Sequence, residues 1–203
     1  MNKPLRFLIP AVFVLAIPVA ASAQRPIVTT FNYASNYVVV IRSTSDAQSQ
    51  VDTVVFVYAF SPKVHPSDAP PTNVPEAGFS IVVYDPASSE IPYVDSGQTS
   101  DFELVMAPGL DQATLRATIP ARLGGTVTVD LSWDAAGSRE RRMFGPDRVQ
   151  LDGFFSVGRA DFVERAALVS GSVTSRAVAT TFQRVSNARL GTTHQGSVER
   201  RVP

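Results

Sequence analysis

Residues 126–133 read Thr-Val-Thr-Val-Asp-Leu-Ser-Trp, and this stretch decides the fold class. Val127, Val129, Leu131 and Trp133 fall on one side of an extended chain; Thr126, Thr128, Asp130 and Ser132 fall on the other. A strict period of two marks a half-buried β-strand, because successive side chains of an extended backbone point to opposite faces. Trp133 is the single tryptophan of the protein. Its indole brings a large apolar area to a core, so the pattern predicts that it sits between two sheets or inside a closed one.

The same alternation recurs upstream. In residues 101–107 (DFELVMA), Phe102, Leu104 and Met106 share a face, and Pro108-Gly109 then reads as a turn. Residues 112–119 (QATLRATI) set Ala113, Leu115, Ala117 and Ile119 against Thr114, Arg116 and Thr118, which predicts a β-hairpin with 101–107. Residues 37–42 (YVVVIR) and 78–85 (GFSIVVYD) are rich in β-branched residues and read as strands. Residues 51–60 (VDTVVFVYAF) are apolar on both faces, so something must cover the second side.

Downstream, 149–157 alternates, Gly158-Arg159 reads as a turn, 160–173 as the return strand and 176–185 as a last strand. Residues 24–35 read as a lead-in, 43–50 as a polar turn, 85–99 as an irregular stretch and 134–148 as a charged connection. Residues 61–77 hold five prolines and read as a long, stiffened loop. Residues 186–203, poor in apolar side chains and without period, read as a disordered basic tail. No helical period appears after the N-terminal segment. The expected fold is an all-β antiparallel β-sandwich of about 8–10 strands, with a flattened β-barrel as the alternative.

The chain opens with a basic stretch (MNKPLR), an apolar run (FLIPAVFVLAIPVA) and Ala21-Ser22-Ala23. That order predicts a signal peptide over residues 1–23, cleaved after Ala23, and hence a secreted or periplasmic protein. The apolar run is short for a bilayer span and is interrupted by Pro10 and Pro18. The expected organisation is then one domain over 24–185 followed by the tail.

Without Lys3 and Arg6 the chain has 16 basic and 18 acidic side chains, a balance that gives no electrostatic case for nucleic acid. There is no cysteine, which removes disulfides, thiolate catalysis and cysteine-ligated zinc. TVTVDLSWDAAGSRERRMF (126–144), together with DGFFSVGRADFVERAALVSGSV (152–173), resembles stretches of uncharacterised, secreted bacterial all-β proteins. VFVYAF (55–60) and DQATLRATI (111–119) fit the same pattern, so the resemblance spans about residues 51–175. It implies an all-β fold and transfers no functional residue.

Chemistry-bearing residues are sparse. His65 and His194 have no neighbour at ligand spacing, and no nucleophile elbow or phosphate-cradling loop occurs. Asp101 with Glu103, or Asp130 with an acid on an adjacent strand, are the candidate pairs for glycoside hydrolysis, although both alternate with apolar residues as a solvated face does. Asp85, Glu90 and Asp95 supply oxygens for calcium but match no standard loop. No metal or cofactor is implied.

Arg139, Arg141, Arg142 and Phe144 combine arginine with an aromatic ring, the composition of a partner-binding hot spot. From Arg176 onward five arginines stand against Glu199, a basic stretch suited to an anionic surface. The leading expectation is a non-catalytic exported binding or structural module, with an extracellular protein or glycan as partner, no nucleic acid and no membrane span once the leader is removed. Its contacts would use the second face of 51–60 and the loops at 61–77 and 134–148. A carboxylate-dependent polysaccharide hydrolase is the alternative, and a secreted inhibitor acting through the proline-rich loop is a third reading.

Overall fold

Extended chain dominates the protein, and every ladder in it is antiparallel. The structure is a computed structural model that describes residues 27–46, 51–64, 74–85, 87, 93–176 and 178–201. The strands are β1 (Ile27–Ser45), β2 (Asp52–Val64), β3 (Glu76–Tyr84), β4 (Tyr93–Thr99), β5 (Phe102–Met106) and β6 (Gln112–Pro120). They continue as β7 (Thr126–Ala135), β8 (Glu140–Leu151), β9 (Phe154–Thr174), β10 (Ala179–Val185) and β11 (Ala188–Arg201). No helix occurs among the described residues, and none is long and apolar enough to cross a membrane.

The strands run in the order β4-β3-β2-β1-β11-β9-β7-β6-β5, with β8 and β10 also paired to β9. The path does not close into a barrel. It folds over at β9, whose first part ladders with β11 and β8 and whose last part ladders with β7 and β10. The result is a first sheet, β4-β3-β2-β1-β11-β9-β8, packed against a second, β10-β9-β7-β6-β5. Alternating inner residues fill the space between them: Val38, Val40, Val55 and Val57 from one side, Leu115, Ile119, Leu131 and Trp133 from the other. Trp133 is fully buried, as its place in the alternating octapeptide predicted.

A second seam joins the sheets at β4. The main-chain N–H of Arg122 donates to the Ser96 carbonyl at 2.9 Å. The Asp95 carboxylate, 3% exposed, accepts from the N–H groups of Ser96 and Leu123 and from the Tyr93 hydroxyl. Buried polar groups cost free energy unless paired, and here each donor closes the sandwich edge.

The 101–119 hairpin and the strands at 78–85, 126–133 and 176–185 form where the patterns placed them. Five expectations are corrected. The charged connection at 134–148 is strand from Glu140 onward, as β8 paired to β9. The lead-in at 24–35 is continuous with 37–42 as the single strand β1, which lies inside the sheet between β2 and β11. The irregular 85–99 stretch contains β4. The turn is not at Gly158-Arg159 but at Asp152-Gly153, a two-residue loop between Leu151 and Phe154 with Gly153 at φ +70°. Asp-Gly is a strong short-loop signal because glycine accepts positive φ without a Cβ clash.

The largest correction concerns the C-terminus. Ala188–Arg201 is not a disordered tail but β11, laddered on both sides between β1 and β9. An internal strand is held by two rows of main-chain hydrogen bonds, which composition does not display. Only its first half, 188–193, carries buried side chains, so apolar content underestimates it. The leader, His65, Glu90 and most of the proline-rich loop lie outside the described residues.

Candidate binding groove

The second face of β2, unassigned by the sequence, faces a groove on the outer side of the first sheet. Strand register builds it row by row. Phe60 pairs with Tyr37, Tyr37 with Gly191, Gly191 with Glu164 and Glu164 with Glu140, so five strands contribute to one line. In the adjacent line Thr193 pairs with Phe162 and Phe162 with Arg142; in the next, Gln195 pairs with Ala160 and Ala160 with Phe144. Directly opposed residues share a face, so these side chains project together. The space they enclose, with Tyr58, has a volume of about 480 Å³.

Aromatic rings form most of its wall. Phe144 stands edge-on to Phe162 with centroids 5.4 Å apart, and Tyr37 meets Phe162 edge-on at 6.5 Å. Tyr58 stacks on Phe56 at 5.6 Å. Two glycines let the tyrosines lie flat across their neighbours. A Cβ at Gly191 would stand 2.8 Å from the Tyr37 ring, and one at Gly78 would stand 2.6 Å from the Tyr58 ring. Each tyrosine thereby reaches a carboxylate: Tyr37 crosses β11 to donate to Glu164 of β9 at 2.8 Å, and Tyr58 donates to Glu76 of the neighbouring β3.

Glu164 anchors the polar end. It is 7% exposed, and besides Tyr37 it meets Arg189 at 3.1 Å and Arg142 at 3.2 Å. Arg142 also holds Glu140 at 3.1 Å, and Arg189 approaches Glu140 at 3.8 Å. A buried carboxylate is tolerated only when paired and hydrogen-bonded, which this network achieves. Burial, then donation to Glu164, pushes the Tyr37 phenol far above its ordinary range; Tyr58, affected in the same order by burial and Glu76, is pushed up to about 12. Donation to Glu140, followed by attraction to Glu164, raises the Arg142 guanidinium further.

Strand alternation divides the arginine–aromatic cluster predicted as a partner site. Arg142 and Phe144 line the groove. Arg141 points to the opposite face and pairs with Asp161 at 3.3 Å. Arg139, just before β8, donates to the Gly109 carbonyl of the β5–β6 turn. Burial pushes the Asp161 carboxyl up, but donation from Arg159 and Arg141 outweighs it and holds the group below its usual range.

The candidate acids lie elsewhere. Glu103 and Asp130 flank Arg116 on the outer side of the second sheet, at 3.8 and 3.6 Å, all well exposed. Asp85 caps the N–H of Ala87, and Asp95 belongs to the seam. No group of three metal-ligating side chains occurs among the described residues, and His194 is exposed on β11. Tyr37, Phe162 and Glu164 escaped sequence reading because Tyr37 lies on β1 and the other two on β9, with β11 between them; the one signal in the sequence is Glu164, an acid within the apolar FVERAALV run.

No protein-family model matches the sequence, and no match among curated proteins reaches significance. A crystal structure from Nitrosomonas europaea, provisionally described as AttH, is similar over 85% of this chain and 52% of that one. Identity is 10% and the TM-score 0.31, and the chain spans about half the length of that protein. A likeness of that depth assigns neither a family nor a function.

Proposed function

We propose that this protein is an exported, non-catalytic binding module whose aromatic groove takes a ring-bearing small ligand, with a glycan unit as the favoured class. One observation carries the reading: Tyr37, Tyr58, Phe60, Phe144 and Phe162 converge from four strands on one open groove with the Arg142–Glu164 pair at its polar end. Binding sites are mostly apolar with a few placed polar groups. A sugar ring offers an apolar C–H face to stack on the aromatic rings and hydroxyls to meet Arg142, Glu164 and Gln195. The signal-like N-terminus supports an extracellular or periplasmic setting, where free glycans and cell-wall polymers occur.

A thermal-shift screen against cell-wall and plant glycans, with calcium or chelator added, tests this. A ligand at a hundred times its dissociation constant adds roughly 2.7 kcal/mol, enough to move the melting point by several degrees. The expected shift disappears in Phe144→Ala and in Arg142→Gln. A flat response from folded protein would sink the proposal.

A second reading, a carboxylate-dependent hydrolase, has one observation in its favour. Glu140 and Glu164 reach the same Arg142 nitrogen, at 3.1 and 3.2 Å, so two carboxylates meet at one end of the groove, as glycoside hydrolysis requires. Against it, both carboxylates are already engaged by Arg142 and Arg189. Turnover of a shifting glycan that is lost in Glu164→Gln would replace the binding reading with this one. The inhibitor reading falls mostly on loop residues outside those described.

A further inference from the structure

Beyond the end of the second sheet, the core-facing side of β1, β9 and β11 continues with no described residue covering it. Further along the same strands this side is buried, at Val38 and Leu190. Register defines its extension: Val28 pairs with Arg200 and Arg200 with Phe155, while Val198 pairs with Val157 and Val157 with Arg148. Arg159 contacts Met143 and Asp161, and Arg141 reaches the same Asp161, so these residues share the face.

Two properties coincide there. Val28 is 60%, Met143 61%, Val198 43% and Phe155 39% exposed, an apolar set with no second layer over it among the described residues. Among them stand Arg141, Arg148, Arg159 and Arg200, and Asp161 is the single acid there among the described residues. Arg148 and Arg200 have no ion-pair partner among the described residues. The groove side of the same strands is more acidic, with Glu140, Asp147, Glu164 and Glu199 facing Arg142, Arg189 and Arg201.

This charge separation selects the occupant. A second copy docking like face to like face would bring two arginine sets together. Docking unlike faces would stack copies without closure, a route to open filaments. A nucleic acid would leave the valines and Phe155 unused. We infer that this basic, apolar face docks on an anionic lipid surface, its guanidinium groups meeting headgroup phosphates while Val28, Val198 and Phe155 enter between the headgroups. The face is separate from the groove, and its role does not depend on what the groove holds.

Sedimentation with vesicles tests it, using protein expressed from the full chain, its N-terminus read by mass spectrometry. One vesicle set is phosphatidylcholine alone; the other contains phosphatidylglycerol. The protein is expected to sediment with the anionic set only and to be released by raised salt. Arg148→Gln with Arg200→Gln should weaken partitioning roughly 30-fold, from about 1 kcal/mol per arginine at an anionic surface. Arg116→Gln, on the outer side of the second sheet, should leave partitioning unchanged, and circular dichroism should show every variant folded. Equal sedimentation with neutral vesicles overturns the inference, as does undiminished binding of the double variant, which is also how a retained leader would behave. Binding to polyglutamate without partitioning to vesicles would assign the face to an acidic protein and overturn it equally.

Discussion

The indole N–H of Trp133 donates to the main-chain carbonyl of Val39 at 3.1 Å, tying β7 of the second sheet to β1 of the first. Trp133 thus acts twice, as the largest fully buried side chain and as a hydrogen-bond bridge across the core. Trp133→Phe keeps most of the area and loses the donor, with an expected cost of about 1–3 kcal/mol. Trp133→Ala empties the site and should cost about 3–5 kcal/mol. Urea unfolding midpoints measure both, and a Trp133→Phe variant as stable as the parent would refute the bridging role.

The tyrosine–carboxylate pairs set a limit at alkaline pH. Burial and then donation to Glu164 and Glu76 raise the phenols of Tyr37 and Tyr58 in the folded chain, the second to about 12. An unfolded tyrosine loses its proton near about pH 10. Above that pH the unfolded chain binds fewer protons than the folded one, so stability falls as pH rises. The contribution is complete below about pH 10 and disappears as pH climbs through the folded-state values. Urea midpoints taken across this range should decline, and Tyr37→Phe with Tyr58→Phe should flatten the decline.

Gly171 lies within the second-sheet part of β9, between Leu131 of β7 and Phe182 of β10. Its φ is +126°, and a Cβ there would stand 2.1 Å from the Asp130 carbonyl oxygen. Both the conformation and the backbone contact resist any side chain. Gly171→Ala should destabilise by at least about 2 kcal/mol, read as a lowered melting temperature. An unchanged melting temperature would mean that β9 does not approach the Asp130 carbonyl of β7 this closely.

Removing residues 188–203 tests β11 directly. A disordered tail would be dispensable. An internal strand is not, because its loss strips hydrogen-bond partners from β1 and β9 together. The truncated chain should lose its cooperative unfolding transition and aggregate through the freed edges. A cooperative transition close to that of the parent would place the C-terminus outside the sheet.

Several elements were legible because one face of the strand is wet and the other dry. In β6 and β7 every second residue is buried, so Leu115, Ile119, Leu131 and Trp133 declare both the strand and the direction of the core. Where that contrast is missing, legibility fails. β8 is exposed along its whole length and the second half of β11 has no buried side chain, so neither stretch shows a buried stripe. The Asp152-Gly153 turn was within reach, but the apolar alternation through 149–157 masks it by running across the loop without interruption.

The amino-acid sequence alone determined the all-β class, the core positions of the alternating strands, the absence of cysteine chemistry and the apolar second face of β2. Only the tertiary structure decided what that face meets. Tyr37, Glu164, Phe162, Arg142 and Phe144 come from three separate stretches of chain, and they share a groove because antiparallel register aligns them across β1, β11, β9 and β8. Register depends on hydrogen bonds between main chains distant in sequence and identical at every residue. Side-chain pattern reveals a strand's face, but its neighbours are chosen only when the whole sheet assembles.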